Sequence, residues 1–299
     1  MGLGSHQESA PKSRYRLIRF VLVAAALGWL GGEIYVRWGE LTSLSLDGRW
    51  FSISIVAFAV ALLTQVVAWR WNLVCLGAGI SYPSLFRLYY TMNLARYIPG
   101  KIWSLAGMVA GGTRLGIDGA TMFASVFLGL VSSLVSGLCV GVLAAWLTGH
   151  LNNVSLLLAG VPVLALATLW PPVFRRWSGW LMHRVRPGSV PPMVSGALLF
   201  RSVLHYGLVW CGYAVAVGSL ALALGASKFG LYFAAFPLAY LAGYAALLAP
   251  GGWGVREGAL IVLAGGGAIA VAVALWQRLI LTVFELGLFA YSVWSWRHD

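Results

Sequence analysis

Between Asp118 and His150 the chain runs without a single charged residue, and this one stretch decides the solvent in which it folds. As a helix rising about 1.5 Å per residue it outreaches the roughly 30 Å hydrocarbon core of a bilayer. Comparable apolar runs recur at about 17–35, 51–69, 154–170, 198–224 and 268–296. Charged residues make up 9% of the 299, against the roughly 25% usual in soluble domains. In lipid every backbone polar group needs an internal partner, and these runs are too long and too little alternating for barrel strands. The expected fold is therefore all-α: a polytopic transmembrane helix bundle forming a single integral membrane domain over residues 1–299.

Two further segments, 84–113 and 229–267, are apolar yet cut near the middle by Pro99-Gly100 and Pro250-Gly251. Proline removes a backbone donor and exposes carbonyls, so each break creates helix ends at depth. Such ends, near Gly100 and Gly254, are expected to present free N–H groups and a positive dipole to the bundle interior, where they favour anions.

The net charge of +12, from 20 Lys and Arg against 8 Asp and Glu, would suggest nucleic acid in a soluble protein. Here topology accounts for it, because Lys and Arg are retained on the cytoplasmic side. The basic tail, residues 1–16, with Arg19 beyond it, starts inside and precedes a signal-anchor rather than a cleaved leader. Arg70, Arg87, Arg114 and the cluster Arg175, Arg176, Arg184 and Arg186 then fall on the same side. Glu33, Glu40 and Asp47 share the outer loop with Arg37 and Arg49.

With Arg87 and Arg114 both inside, residues 84–113 must enter and leave by one face, as a re-entrant hairpin. Residues 229–267 do the same from the outer face, unless 229–249 spans outright. The order span, broken hairpin, span then occurs twice in opposite senses, over about 51–148 and 198–296. About six full spans and two broken hairpins in an inverted-topology repeat are expected, in the cytoplasmic membrane with both termini inside. Transporters use this arrangement, since mirrored halves give conformations open to opposite sides.

Candidate substrate-binding residues cluster at the breaks. Asn93, Arg96 and Lys101 flank the first, and Arg256 and Glu257 the second. Arg96 and Lys101 also fit an ordinary cytoplasmic rim. A buried Arg costs on the order of 3 kcal/mol on insertion scales, so Arg256 is expected in a polar cavity, where its planar fork suits a phosphate. Arg278 and Glu285 interrupt the last span seven residues apart, two turns along one face and about 10 Å distant. Each needs a partner from another helix, with Glu257–Arg278 and Glu285–Arg256 the candidates; a purely structural ion network is the alternative.

Gly-xxx-Gly spacings at Gly107 and Gly111, Gly137 and Gly141, and Gly254 and Gly258 read as close helix packing. Gly251-Gly252-Trp253-Gly254 lacks the Gly-Lys-Ser/Thr ending of a phosphate loop. No paired carboxylates, His-Glu-xx-His site or nucleophile elbow is present, so neither an enzyme, a metal centre nor a cofactor is expected. Cys75, Cys139 and Cys211 are dispersed and suggest neither disulfides nor metal.

The stretch Asn93-Leu-Ala-Arg-Tyr-Ile-Pro-Gly-Lys, followed by Ala249-Pro-Gly-Gly-Trp-Gly-Val-Arg-Glu-Gly and then Arg278, resembles the flippase-like transmembrane region of the lysylphosphatidylglycerol synthase family. The resemblance covers about residues 15 to 296 and implies a domain that moves a phospholipid or lipid-linked headgroup between leaflets. On matching positions it implies a functional set of Arg96, Pro99, Gly100, Pro250, Gly251, Gly252, Gly254, Arg256, Glu257 and Arg278. The sequence runs only just past the last span, so the soluble aminoacyl-transfer domain and its activity are not expected. The implied partners are membrane lipids with an anionic or phosphate-bearing headgroup, and not nucleic acid. A non-transporting scaffold for a lipid-modifying or glycan-assembly enzyme is the alternative.

Overall fold

The structure, a computed structural model, describes residues 28–97, 102–149, 167, 170–185, 194–246 and 252–298; for residues 96, 97, 102, 181–183 and 185 it describes the backbone alone. The described residues are almost entirely helical and contain no strand. After helical residues 28–36 come α1 (Trp38–Ser43), α2 (Gly48–Cys75), α3 (Tyr82–Asn93), a 3-10 turn (Leu94–Tyr97), α4 (Ile102–Arg114) and α5 (Gly119–Leu147). The second part comprises α6 (Pro171–Val185), α7 (Gly196–Ala223), α8 (Phe229–Ala245), α9 (Val255–Leu263) and α10 (Gly267–Trp296).

Four helices, α2, α5, α7 and α10, are long and apolar enough to cross a membrane. They coincide with four of the six expected spans. The other two, 17–35 and 154–170, lie largely outside the described residues. On α2 the exposed side chains Ile53, Val56, Val60, Leu63, Val67, Trp71 and Val74 recur every three or four positions. A stripe this long on a soluble protein would be an aggregation hazard, whereas facing acyl chains it is the expected outer surface. Asp47, Asp118 and Ser195 start α2, α5 and α7 by accepting hydrogen bonds from the first-turn N–H groups.

Both parts contain the order long helix, two shorter helices, long helix. The long helices have 28 and 29 residues in the first, 28 and 30 in the second. The turn after α2 and the turn after α7 are built alike. Gly77 donates to Val74 O and Ala78 to Leu73 O; Gly225 donates to Leu222 O and Ala226 to Ala221 O. Both glycines hold positive φ, +84° and +89°, the left-handed cap that terminates a helix and satisfies its last carbonyls. The ends of α4 and α9 match in the same way, through Gly116 and Ile117 and through Gly265 and Gly266. Packing repeats too, with α3 against α10 and its counterpart α8 against α5.

Helices α2 and α7 run antiparallel. Asp47 N–H, before α2, donates to Ala223 O at the end of α7 at 2.8 Å, and near the other end of the pair Trp71 stacks on His205 at 5.7 Å. Leu76, just past α2, packs with Ala120 at the start of α5, so α3 begins and α4 finishes at the same end of the bundle. Arg87 on α3 donates to Ser295 near the end of α10 at 3.5 Å, which brings α10 to that end as well. At the opposite end, residues 225–228 and 266–269 line one surface hollow, so α8 begins where α9 finishes.

Charge divides the two ends. Arg70, Arg87 and Arg114 lie where α2 finishes, together with Arg175, Arg176 and Arg184 of α6. At the other end Arg37, Arg49 and Lys228 are offset by Glu33, Glu40 and Asp47, with Arg37 and Glu33 paired at 2.9 Å. Helix α6 is anchored by Phe174, buried among Leu128, Leu198 and Leu199, while Trp177 and Trp180 face outward. Exposed tryptophans beside arginines are the composition of a membrane–water boundary.

Candidate functional site

Helix α8 carries Pro237 in its interior and ends at Ala245. The chain is described again from Gly252, whose φ is +70° and whose missing side chain lets it lie against Gly243 of α8; a Cβ there would sit 2.9 Å from Gly243 O. Gly254, at φ +77°, then starts α9 and brings Arg256 and Glu257 into its first turn.

Glu257 organises the cluster. One carboxylate oxygen, Oε2, accepts the Gly254 N–H at 2.8 Å. The other, Oε1, faces Arg256 Nε at 3.4 Å and Arg278 Nη1 of α10 at 3.5 Å. This corrects the expectation of a bare helix N-terminus near Gly254. A carboxylate three residues into the helix reaches back to the orphan donor and occupies the position an outside anion would take. Of the two pairings expected across helices, Glu257–Arg278 is made.

Arg256 is held on three sides. Its Nη2 donates to Gln277 Oε1 at 3.2 Å, its guanidinium lies 5.2 Å from the centre of the Tyr240 ring, and Nε faces Glu257. Gln277 is itself fixed by donating to Ala274 O at 2.9 Å. Arg278 lies 5.0 Å from the ring centre of Trp253. Arg256, Glu257, Gln277 and Glu285 are 4%, 3%, 0% and 4% exposed, so these charges are removed from solvent almost completely. Two guanidinium groups meet the Glu257 carboxylate, and the buried Glu285 brings the described charges of the site to two against two; the charge that reaches the cavity is that of Arg256.

That charge adjoins open space. A cavity of about 180 Å³ is walled by Gln65 and Trp69 of α2, Asn93 of α3, Trp210 of α7, and Tyr240 and Arg256 from the second break. A smaller chamber of about 50 Å³ shares Gln65, Asn93, Tyr240 and Arg256 and adds Glu285. Glu285 and Arg256, the other expected pair, thus line the same chamber. Both halves of the molecule contribute to the walls, and Arg256 belongs to both spaces.

The structure brings together Asn93, Gly252, Gly254, Arg256, Glu257, Arg278 and Glu285 around the cavity and the second break. The side chain of Arg96, and Pro99, Gly100, Lys101, Pro250 and Gly251, lie outside the described residues. Sequence reasoning missed Gln65, Tyr240, Trp253 and Gln277. The two glutamines had a usable signal, since each is an isolated amide inside an apolar span, where a polar group needs a reason. Among the described residues no group of three or more His, Cys, Asp or Glu could hold a metal ion.

The Gly-xxx-Gly pairs act as contact points. Gly107 and Gly111 seat Met92 and Leu88 of α3 against α4, Gly137 and Gly141 seat Trp210 and Leu238 against α5, and Gly258 lies under Trp29. Scans against protein-family models and against the curated proteins find no match to this chain, so its resemblance to the synthase transmembrane region stands on the quoted motifs.

Proposed function

We propose that this chain is a lipid translocator, moving a phospholipid or lipid-linked headgroup between leaflets through the cavity between its two halves. The observation that carries the reading is a buried arginine, held in an ion cluster at a helix break, that lines a cavity walled by both halves. Arg256 holds the headgroup phosphate, the polar groups of Gln65 and Asn93 meet the rest of the headgroup, and the acyl chains stay in lipid. No water-soluble activity requires a bundle with outward apolar stripes and an inward arginine.

On this reading the segments α3–α4 and α8–α9 are re-entrant hairpins, entering from opposite faces and gating the cavity alternately. The antiparallel α2–α7 pair, the matched turns and the meeting of helix ends support the inverted repeat. The arginine-rich end faces the cytoplasm by the positive-inside rule, which makes this a cytoplasmic-membrane protein.

The test is leaflet exchange of a fluorescent anionic phospholipid in liposomes. Arg256→Gln leaves the Glu257 carboxylate with Arg278 at 3.5 Å and the Gly254 N–H at 2.8 Å, so it removes the charge that lines the cavity without emptying the ion cluster. This variant is expected to remain folded by circular dichroism while exchange falls to the protein-free rate. Undiminished exchange by the folded Arg256→Gln variant would sink the proposal.

A further inference from the structure

The walls of the cavity carry a more specific message than its charge. We propose that the headgroup bound there is a polyhydroxylated ring, a sugar or cyclitol, linked through a single phosphodiester, and not an aminoacylated or other cationic headgroup. This rests on the translocator reading for its biological setting, but it stands on the lining residues alone.

Size sets the first limit. At about 180 Å³ the main chamber falls below the roughly 300 Å³ at which pockets engulf a drug-sized ligand. It takes a headgroup and leaves the acyl chains outside.

Charge sets the second. Among the described residues Arg256 is the charged group in the wall of the main chamber; its partner Glu257 is not in that wall, and Glu285 lines the smaller chamber. Glu257 and Gln277 already engage part of the Arg256 guanidinium, which matches a singly charged diester better than a doubly charged terminal phosphate. A cationic headgroup would meet Arg256 as a like charge.

Polar placement sets the third. Trp210 Nε1–H donates to Ser133 O at 2.7 Å and Trp69 Nε1–H to Ser125 Oγ at 3.3 Å, so both indoles have committed their donors within the protein and line the cavity as apolar aromatic wall. Gln65 accepts from Tyr213 O–H at 2.9 Å, which leaves its amide N–H groups to donate into the chamber. The Ser104 and Ser133 hydroxyls complete a pattern of flat apolar faces interleaved with neutral donors and acceptors. A pyranose or cyclitol ring has that shape in complement, with C–H faces and a rim of hydroxyls. A bare phosphate has no use for the aromatic faces, and a choline or lysyl group has no use for the amide donors.

The full chain in detergent, titrated calorimetrically with short-chain lipids, tests this. Dihexanoyl phosphatidylinositol is expected to bind about tenfold more tightly than dihexanoyl phosphatidic acid, with dihexanoyl phosphatidylcholine weaker still. Gln65→Leu is expected to weaken the inositol lipid about tenfold and the phosphatidic acid less than about twofold. Ser133→Ala serves as a second, milder probe of the same selectivity. Phosphatidylcholine binding as tightly as the inositol lipid would overturn the proposal. So would Gln65→Leu weakening all three lipids alike. Glycerophosphoinositol binding as tightly as the lipid would reassign the site to a free sugar phosphate and overturn its lipid half. Selective binding without leaflet exchange would defeat translocation and leave this inference intact; exchange without selectivity would do the reverse.

Discussion

The two breaks sit in matching frames and differ in what closes them. At the first, α3 and α4 meet through the flexible ends of Met92 and Leu88 lying on Gly107 and Gly111. At the second, α8 and α9 meet with Gly243 against the Cβ and Cα of Arg256, and with Gly252 against the Gly243 backbone. One closure is soft and apolar in its described residues; the other is close to backbone on backbone and carries an ion network. A duplicated scaffold thus need not duplicate its chemistry. The repeated turns supply two similar clips, and among the described residues it is the second that places a buried arginine on the cavity.

The widest test of this comparison is topological. In a background lacking Cys75, Cys139 and Cys211, cysteines at Ser81 and Leu115 are expected to react with a membrane-impermeant maleimide from the cytoplasmic face only. Cysteines at Ser227 and Leu263 are expected to react from the opposite face only. Leu115→Cys reacting from the face opposite to Ser81→Cys would mean that the first break spans the membrane, and the mirror relation would be lost.

Next in size is the ion network. Glu257→Gln removes the anion between two buried guanidiniums and is expected to cost about 3 kcal/mol or more, read as a fall in the unfolding midpoint in detergent. The double variant Arg256→Gln/Glu257→Gln should be less damaged than Glu257→Gln alone, and equal damage would show that the pair is not energetically coupled.

The smallest effects separate the two closures directly. Gly243→Ala pushes a methyl to 2.8 Å from Arg256 Cβ and should destabilise by about 1–3 kcal/mol. Gly107→Ala meets the end of Met92, which can swing aside, and should cost less than about 1 kcal/mol. Equal costs would erase the distinction between a hard and a soft closure.

The sequence revealed the long helices because an uncharged run such as 119–147 has few other ways to fold. It drew attention to Pro99-Gly100 and Pro250-Gly251 for the same reason, since Pro-Gly in lipid is conspicuous; both pairs lie outside the described residues, between helices that end before them and start after them. It could not reveal the Arg256–Gln277 contact or the placement of Tyr240, which depend on how α8, α9 and α10 pack in three dimensions. The capping role of Glu257 was legible and went unread: a glutamate three residues after Gly254 is the spacing at which a side chain turns back on a helix start. The charge pattern read as an anion site did not show that Glu257 faces both arginines, since that depends on α9 and α10 packing together.

The division of charge between the two ends has a consequence for biogenesis. On the proposed inverted repeat, the scaffold could be threaded into a bilayer either way up at similar cost in apolar contacts. What would break the tie is the group of arginines at one end, Arg70, Arg87, Arg114 and those of α6, facing a balanced set of charges at the other. On that reading residues remote from the cavity set which compartment each proposed hairpin faces, and the direction of insertion is written in the rim and not in the site.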